Sequence, residues 1–444
     1  MNSVVVGLGK TGASCIRYFA KHGIAAAATD SRLAPPGLAE LGPLAAQVDL
    51  RLGAFDLSLL DGASQVLVSP GVSLDEPITQ AARRRGIEVL GDIELFARAV
   101  RAPVVGITGT NGKSTVTSLV AHMAAAAGRR VLAGGNLGTP ALDLLNAPPP
   151  DLYVLELSSF QLESTSSLTL QAATVLNVSA DHLDRYASVD AYARAKARIF
   201  AHAVSVVLNA DDPRVAAMRP HGAAGPTVAT FSTCRSDADY TLQRPDGKVL
   251  LCRHGEPLMD FSRTKMSGVH NAGNALAALA LGDAVGLPLP AMQTALETFP
   301  GLAHRSQWVT DVGGVRYVDD SKGTNVGATV AALDGLAGPV ILIAGGLGKG
   351  QDFSPLAAAV ARKVRHAVLI GTDAAAIETV LQGVCRTERA VCMDEAVAAA
   401  AGAARPGDTV LLSPACASLD MFRDYGHRGD AFAAAVRALP GAGA

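Results

Sequence analysis

The stretch GITGTNGKST, residues 106–115, has the composition of a phosphate-binding loop. It follows an apolar run that predicts a strand and precedes a run that predicts a helix, so its backbone N–H groups can surround a polyphosphate. Lys113 can neutralise the outer phosphates, and the hydroxyl of Ser114 or Thr115 can reach Mg²⁺. Together these groups indicate chemistry on ATP.

The loop departs from the strict motif in one place. The motif has a glycine where this chain has Ile107, and Gly109 follows two residues later. A glycine-rich turn with a purely structural role is the alternative interpretation. Lys113 favours phosphate binding, because an unpaired lysine at that position would otherwise serve no purpose.

Three further side chains could take part in such chemistry. Glu156 ends a predicted strand, and Mg²⁺ prefers oxygen ligands of this kind. His182 follows the apolar run VLNVSAD, and Lys196 lies on the predicted helix DAYARAKARIF. Each has an ordinary alternative: a cap or ion pair for Glu156, a structural histidine for His182 and a solvated surface charge for Lys196.

A second glycine loop, VVVGLGKTG, begins at residue 4 and carries Gly7, Gly9 and Gly12 between a predicted strand and a predicted helix. With Asp30 at the end of the next strand, it has the pattern of a dinucleotide-binding turn. One interpretation is therefore an NAD-dependent oxidoreductase, and another is a turn needed only for close packing. The motif offers a helix N-terminus to a diphosphate without specifying the nucleotide.

Composition limits the class of protein. The 444 residues are 49% hydrophobic and 18% charged, which predicts a globular chain of two to four domains. The net charge of −2 argues against a general nucleic-acid or membrane partner. Scattered cysteines without close pairs predict free thiols in a reducing cytoplasm, and neither a signal peptide nor a membrane span is expected.

Strand-like runs alternate with alanine-rich helical runs in three successive series, which predicts an α/β fold of three domains. We expect an N-terminal Rossmann-like domain at residues 1–97 and a central P-loop ATPase-like domain with a mostly parallel sheet at residues 98–300. A C-terminal Rossmann-like domain is expected at residues 301–444. In the central domain, DYTL and KVLLCRHGEPLMDF predict a small β-ribbon. The helix HNAGNALAALALGDAV is expected to be the last element of this domain.

The motifs GTNGKST, GGNLG, LELSSFQLE, NVSADHLDRY, AKARIF, GVHNAGNALAALAL, GLAHR, DDSKGTN, GGLGKG and LSPACASLDMF occur in this order. As a set they resemble the Mur ligase family, the ATP-dependent amino-acid-adding enzymes of peptidoglycan synthesis. The terminal motifs VVGLGKTG with DSR, and SPACASLD, are similar to those of members that add D-glutamate to UDP-N-acetylmuramoyl-L-alanine.

The resemblance implies a mechanism. ATP would phosphorylate the alanine carboxylate of the sugar-nucleotide, and the amine of D-glutamate would attack the acyl phosphate. A tetrahedral intermediate would then collapse to the amide and release phosphate. The resemblance also implies ATP as co-substrate, two Mg²⁺ ions, small-molecule partners only, a cytoplasmic location and a monomer.

Site residues follow from the same resemblance. The catalytic set would be Lys113, Glu156, His182 and Lys196, with Lys196 carbamylated by CO₂. Ser114, Glu156, His182 and Lys196 would bind the metal ions. The ATP-binding set would be Gly109, Thr110, Asn111, Gly112, Lys113, Ser114, Thr115, Asn271, Asn274, Arg305, Asp320 and Lys322, accompanied by His304.

The substrate-binding set implied by the resemblance has two parts. Gly9, Thr11, Ser31, Arg32, Ser69, Gly71, Asn136 and His182 would contact the sugar-nucleotide, and Thr324, Lys349, Ser418 and Tyr425 would contact D-glutamate.

Two positions depart from the family pattern. Asp424 would place a negative charge near an acidic amino acid if it faced that pocket, and Lys10 stands where an apolar residue is expected. Two interpretations besides the oxidoreductase also stay open. The chain could be a folylpolyglutamate-synthase-like ligase, or it could be a catalytically inactive nucleotide sensor.

Overall fold

Three β-sheets follow one another along the chain, each flanked by helices. The computed structural model describes residues 2–220, 225–266, 268–336 and 338–441. Most strand pairs are parallel, and the strands end in loops that lead into helices. The predicted α/β fold with three successive units is therefore confirmed.

The first sheet has five parallel strands in the order β3-β2-β1-β4-β5. Its elements are β1 (Asn2–Val6), α1 (Lys10–Lys21), β2 (Ala25–Asp30), α2 (Gly37–Leu41), β3 (Asp49–Leu52), β4 (Ala63–Val68), α3 (Pro77–Arg84), β5 (Glu88–Leu90) and α4 (Asp92–Ala99). The consecutive apolar residues of β1 are buried because helices cover both faces of a parallel sheet.

The second sheet has nine strands in the order β14-β13-β12-β11-β10-β9-β6-β8-β7. Its elements are β6 (Val104–Thr108), α5 (Lys113–Ala126), β7 (Val131–Gly135), α6 (Ala141–Leu144), β8 (Leu152–Glu156), α7 (Ser159–Glu163), β9 (Leu170–Val175), α8 (Val189–Ala197), β10 (Ala203–Asn209), α9 (Pro213–Ala216), β11 (Thr227–Ser232), β12 (Tyr240–Gln243), β13 (Leu250–Arg253), β14 (Glu256–Asp260), α10 (Val269–Ala284) and α11 (Leu289–Thr298). The expected ribbon is present, since β12, β13 and β14 pair antiparallel at one edge.

The expectation that the helix at HNAGNALAALALGDAV closes this block is wrong, because α11 follows α10. Met292, Ala295 and Leu296 have helical spacing and are fully buried in the same core cluster as Leu119 and Met123 of α5. This apolar stripe holds α11 against the central unit rather than leaving the segment as a connection.

The third sheet has six strands in the order β15-β16-β20-β17-β18-β19, with β15 and β16 antiparallel. Its elements are β15 (Gln307–Val312), β16 (Val315–Asp319), α12 (Val326–Gly335), β17 (Val340–Gly345), α13 (Pro355–Lys363), β18 (Val364–Ile370), α14 (Ala374–Leu381), β19 (Arg386–Arg389), α15 (Met393–Ala403), β20 (Thr409–Leu412) and α16 (Tyr425–Arg437). Buried strands β17 and β20 lie in the middle of this sheet.

The first two units share packing near their connection. Phe96 of α4 meets Tyr153 of β8 edge to face, with ring centroids 5.3 Å apart. The predicted boundary at residue 97 falls within α4, and the one at residue 300 falls between α11 and β15. Both positions stay predictions. In the described part of the chain, no helix is long and apolar enough to cross a membrane.

Candidate active site

The glycine-rich stretch at residues 106–115, called the phosphate-type loop below, connects the end of β6 to the start of α5, as the sequence predicts. Gly112 is the last residue before α5 and has φ 83°, a left-handed conformation that side chains disfavour. A Cβ at this position would come within 2.5 Å of Oδ1 of Asn274. Glycine is therefore required here both by the backbone turn and by the close approach of α10.

Lys113 lies over its own loop. Its Nζ donates to the carbonyl oxygens of Gly109 and Thr110, at 2.8 Å in each case. Burial lowers the pKa of the Lys113 ammonium, while the nearby carboxylate of Glu156 acts in the opposite direction. The lysine is thus held inside the curve of the loop where it could exchange carbonyl partners for phosphate oxygens.

Glu156, at the end of β8, is the centre of a hydrogen-bond network. Ser114 Oγ donates to Oε2 of Glu156 at 2.6 Å, and Asn136 Nδ2 donates to Oε1 at 2.6 Å. Arg305 Nη2 donates to Ser114 Oγ at 2.7 Å and so brings a cation from the third unit. Although burial raises the pKa of the Glu156 carboxyl, Lys113 and the two hydrogen bonds hold it below its usual value.

Lys196 is buried, with 1% of its surface exposed, which excludes its interpretation as a solvated surface charge. Its Nζ donates to Gly109 O at 2.8 Å and lies 4.3 Å from the ring centroid of Tyr192. Burial, and then the positive charge of Lys113, lower the pKa of the Lys196 amine well below its usual value. The low pKa favours a neutral, nucleophilic amine at this position.

His182 has φ 54° and packs its ring against Phe160 at 4.9 Å between centroids and against Tyr192 at 6.1 Å. Burial lowers the pKa of the imidazole, whereas Asp181 beside it raises that pKa. Because His182 and Lys196 both lie against the ring of Tyr192, the structure brings these two predicted residues together around one aromatic side chain.

The donor set fits magnesium at one position. Ser114 Oγ and Glu156 Oε2 are adjacent hard oxygen atoms in a buried setting. Within the described residues, no group of three or more His, Cys, Asp or Glu side chains could hold a metal ion. This is compatible with Mg²⁺, which is usually held by one or two carboxylates together with phosphate oxygens of a substrate.

A first cavity of 540 Å³ lies between the central and third units, beside the loop. The predicted ATP-binding residues that line it are Asn111, Gly112, Thr115, Asn271, Asn274, Arg305, Asp320 and Lys322. Gly109, Thr110, Lys113 and Ser114 are outside this lining but belong to the same loop and helix start. The structure thus brings together residues that are more than 200 positions apart in the chain.

The third unit supplies two titrating groups to the first cavity. Asp320 accepts hydrogen bonds from Ser413 Oγ at 2.8 Å and from Ser306 N at 3.0 Å, and burial raises the pKa of its carboxyl to about 7. Lys322 Nζ lies 3.8 Å from the ring centroid of Tyr425, and burial lowers the pKa of its ammonium to about 8.

Asn325 joins the central and third units, and sequence reasoning missed it. Asn325 Nδ2 donates to Asn111 Oδ1 at 3.1 Å, and Asn111 Nδ2 donates to Asn325 Oδ1 at 3.3 Å. Asn325 Oδ1 also accepts from Ala328 N at 2.9 Å and thereby caps α12. A signal existed in the sequence, since asparagine before an apolar run is a favoured N-cap.

A second cavity of 490 Å³ lies between the first and central units. The residues predicted to contact the sugar-nucleotide line it, with the exception of His182: Gly9, Thr11, Ser31, Arg32, Ser69, Gly71 and Asn136. Asn136 also donates to Glu156, so this residue connects the second cavity to the phosphate-type loop. The two glycine loops therefore serve two different cavities.

Asp30 is occupied by protein partners, contrary to the ribose-binding role that the oxidoreductase interpretation gives it. Its Oδ2 accepts from Leu8 N at 2.7 Å and from Arg32 Nη2 at 2.8 Å, and Oδ1 accepts from Arg32 Nε at 2.8 Å. Burial raises the pKa of the Asp30 carboxyl, but the bonds from Arg32 and Leu8 bring it below its usual value. Asp30 therefore fixes the first loop and orients Arg32.

Residues predicted to hold the amino acid line neither cavity: Thr324, Lys349, Ser418 and Tyr425. Asp424, the departure from the family pattern, caps α16, where its Oδ1 accepts from His427 N at 2.8 Å.

Sequence reasoning also missed Arg428, which is buried and donates to Ser321 Oγ, Ser321 O and Cys416 O at 3.0, 2.7 and 3.1 Å.

Family models match three consecutive parts of the chain. The MurD-like N-terminal domain of Mur ligases matches residues 1–91, the Mur ligase middle domain matches residues 107–282, and the Mur ligase glutamate ligase domain matches residues 304–416. Together with this three-part fold and the two cavities, the matches show that the chain belongs to the Mur ligase family.

Two curated relatives are more than half identical to this chain over nearly its full length. A protein of Nitrosococcus oceani named UDP-N-acetylmuramoylalanine--D-glutamate ligase is 55% identical over 98% of this chain and 96% of its own length. A protein of Methylococcus capsulatus with the same name is 54% identical over 98% of this chain and 94% of its own length.

Solved structures share the fold at lower identity. UDP-N-acetylmuramate-alanine ligase MurC from Thermotoga maritima has a TM-score of 0.63 and 20% identity, with 97% of this chain and 98% of that chain covered. A pseudomurein peptide ligase type C from Methanothermus fervidus has a TM-score of 0.60 and 19% identity, with 93% and 96% covered. These likenesses extend over all three units.

Proposed function

We propose that the chain is the ATP-dependent ligase that joins D-glutamate to UDP-N-acetylmuramoyl-L-alanine in peptidoglycan precursor synthesis. Relatives more than half identical over almost the full length carry that activity in their names. The oxidoreductase alternative is not favoured, for two reasons. The first glycine loop shares its cavity with Asn136 of the central unit, and the carboxylate of Asp30 already accepts hydrogen bonds from Leu8 and Arg32.

One observation carries the proposal. Asn136 lines the second cavity and bonds Glu156, which in turn bonds Ser114 at the start of α5. A substrate whose nucleotide end occupies the second cavity could therefore present its far end to a phosphate bound by the loop. This arrangement suits a sugar-nucleotide handle and a terminal carboxylate.

The first step transfers a phosphoryl group. An oxygen of the alanine carboxylate attacks the γ-phosphorus of ATP, the bond to the β-phosphate oxygen breaks, and ADP leaves. Lys113, the loop N–H groups and Arg305 supply positive charge where negative charge develops on the transferred group. Mg²⁺ held by Ser114 and Glu156 would neutralise phosphate charge when bound.

The second step forms the amide. The neutral amine of D-glutamate attacks the acyl carbon, a tetrahedral intermediate forms, and its collapse expels phosphate while the nitrogen loses a proton. Lys349, Thr324 and Ser418 are proposed to hold the amino-acid carboxylates, because an ammonium and hydroxyl groups suit anions. Tyr425 is proposed to border the same pocket beside Lys322.

Lys196 is proposed to be carbamylated. Its neutral amine attacks the carbon of CO₂, an N–C bond forms and one proton leaves, so that a carboxylate-like group replaces a cation. Together with His182 this group would hold a second Mg²⁺. A buried amine with a lowered pKa supports the proposal, because only the neutral form is nucleophilic.

The experiment that tests the function mixes the chain with UDP-N-acetylmuramoyl-L-alanine, D-glutamate and MgATP, and follows phosphate release and product mass. We expect phosphate and the D-glutamyl amide in equal amounts, and no amide with L-glutamate. Phosphate release no greater than in the absence of D-glutamate would reject the proposal. Thermal stabilisation by NADH without stabilisation by MgATP would favour the oxidoreductase instead. We further propose that the protein is cytoplasmic and that it is a monomer. Sedimentation of the purified protein can test the monomeric state.

A further inference from the structure

Lys10 is the first residue of α1 and lines the second cavity beside Gly9 and Thr11. Gly9 precedes the helix without a side-chain cap, and the first turn contains no acidic residue. A lysine at the N-terminus of a helix places a positive charge at the positive end of the helix dipole. The position is therefore electrostatically unfavourable unless an anion is nearby.

The Lys10 ammonium contacts the central unit at the wall of the second cavity. Its Nζ donates to the carbonyl oxygen of Gly138 at 2.8 Å, in the loop that follows β7 of the central unit. A carbonyl oxygen accepts the hydrogen bond but does not neutralise the charge. Among the described residues, Lys10 has no carboxylate within ion-pair distance.

The other charged residues of the lining differ from Lys10. Arg32 is paired with Asp30 at 2.8 Å, so the charges of these two side chains compensate each other. Glu76 also lines the cavity, at the N-cap of α3, so the wall as a whole is not strongly cationic. Lys10 is the lining cation that combines an uncompensated charge with the uncapped N–H groups of α1.

We propose that Lys10 is an additional binding residue for the diphosphate of the sugar-nucleotide. This inference rests on the proposed function, which places that substrate in the second cavity. An ammonium has three donors, so Lys10 can keep its bond to Gly138 while donating to a phosphate oxygen. The same side chain then connects the first and central units through the bound substrate.

A matched control exists on the same helix. Lys21, at the end of α1, donates from Nζ to Oδ1 of Asn146 in the central unit, also at 2.8 Å. This contact joins the same two units but does not line the second cavity. Lys21→Met therefore removes an equivalent bridge without removing a cation from the proposed phosphate site.

The experiment titrates UDP and uridine into the full-length protein and its variants by calorimetry. Lys10→Met is expected to weaken UDP binding about tenfold and to leave uridine binding unchanged, because uridine lacks the phosphates. Lys10→Arg is expected to retain UDP affinity, and Lys21→Met to match the wild type for both ligands. The dependence of UDP affinity on salt is expected to be weaker in Lys10→Met.

Steady-state kinetics supply a second measurement. The KM for UDP-N-acetylmuramoyl-L-alanine is expected to rise in Lys10→Met about as much as the Kd for UDP, with kcat and the KM for ATP unchanged. Wild-type UDP affinity in Lys10→Met, or an equal loss of UDP and uridine binding, would overturn the inference. An equal loss in Lys21→Met would assign the effect to domain contact instead.

The two proposals can fail separately. If the wild type binds UDP but makes no amide, the proposed function fails and the comparison of UDP with uridine still decides the role of Lys10. If the wild type makes the amide but binds no UDP, the proposed function stands and the inference about Lys10 fails.

Discussion

Nη2 of Arg305 lies 2.7 Å from Oγ of Ser114, and this hydrogen bond joins the third unit to the first turn of α5. Ser114 Oγ in turn donates a hydrogen bond to Oε2 of Glu156 at 2.6 Å. A residue that lies more than 190 positions further along the chain therefore completes the polar centre of the central unit. Burial lowers the pKa of the Arg305 guanidinium, while Glu156 raises it.

Arg305→Met is expected to lower kcat by about 100-fold, because it removes a cation aimed at the charge that develops during phosphoryl transfer. The measurement is phosphate release at saturating substrates. Arg316→Met is the control, since Arg316 is an exposed arginine of the same unit paired with Asp311 at 3.5 Å. A kcat for Arg305→Met within twofold of the wild type would contradict the assigned role.

Lys196→Ala is expected to abolish activity that bicarbonate cannot restore, whereas short carboxylic acids restore part of it by occupying the carbamate position. The loss of kcat should be at least about 100-fold. Arg194→Ala, on the exposed side of α8, is the control and should behave like the wild type. Full activity in Lys196→Ala would exclude the carbamate.

The pH dependence of kcat/KM for ATP should be bell-shaped. Asp320, with a pKa of about 7, is protonated below that pH and loses its negative charge. Lys322, with a pKa of about 8, loses its positive charge above that pH. The profile of kcat/KM reports groups of the free enzyme. Asp320→Asn should remove the acidic limb and keep the alkaline one; an unchanged acidic limb would assign it to another group.

Arg428→Lys is expected to lower kcat/KM for both ATP and D-glutamate by about 10- to 100-fold. The guanidinium bonds Ser321, next to Lys322, and Cys416, two residues before Ser418, so one side chain positions two loops. An ammonium keeps the charge but cannot span both loops. Arg437→Lys, at the exposed end of the same helix, is the control, and equal kinetics in both variants would argue against positioning.

Asp424→Ala is expected to cost about 1 kcal/mol of unfolding free energy, because α16 loses its N-cap. Asp424→Ser keeps a capping oxygen and should recover most of the loss. Both variants should retain the preference for D-glutamate over L-glutamate, since the carboxylate is directed at the helix. Thermal unfolding and the ligase assay measure the two effects, and an altered stereochemical preference would place Asp424 in the amino-acid pocket.

The regular elements near the site were predictable from the sequence. The short apolar runs of β6, β8 and β17 are rich in β-branched or aromatic residues and end at glycine or polar residues, which favours buried parallel strands, and Gly112 before Lys113 marks the start of α5. Strands β3, β5, β11, β15 and β19 were not predicted, and Phe231 of β11 lines the first cavity. Strands β3 and β19 are short edge strands whose charged residues, such as Arg51 and Arg386, hide the apolar pattern.

Site residues were predictable to different extents. The sequence places Lys113 and Ser114 next to each other, so their joint role follows from the motif. Burial of Lys196 did not follow, because its helix is not strongly amphipathic and only tertiary packing closes over the side chain. The pairing of Asn111 with Asn325 requires two units to meet, and no local pattern contains that information.

The paired amides of Asn111 and Asn325 have a consequence for turnover. Each donates to the other and neither carries a net charge, so salt screens these two bonds little, while Asn325 Nδ2 also donates to Oδ2 of Asp181 at 3.4 Å. Two ordinary hydrogen bonds contribute only about 1 kcal/mol each, and water replaces both when the units separate. The nucleotide cleft is therefore held together by weak contacts of this kind and by the Arg305–Ser114 hydrogen bond, all of which must break before ADP can leave.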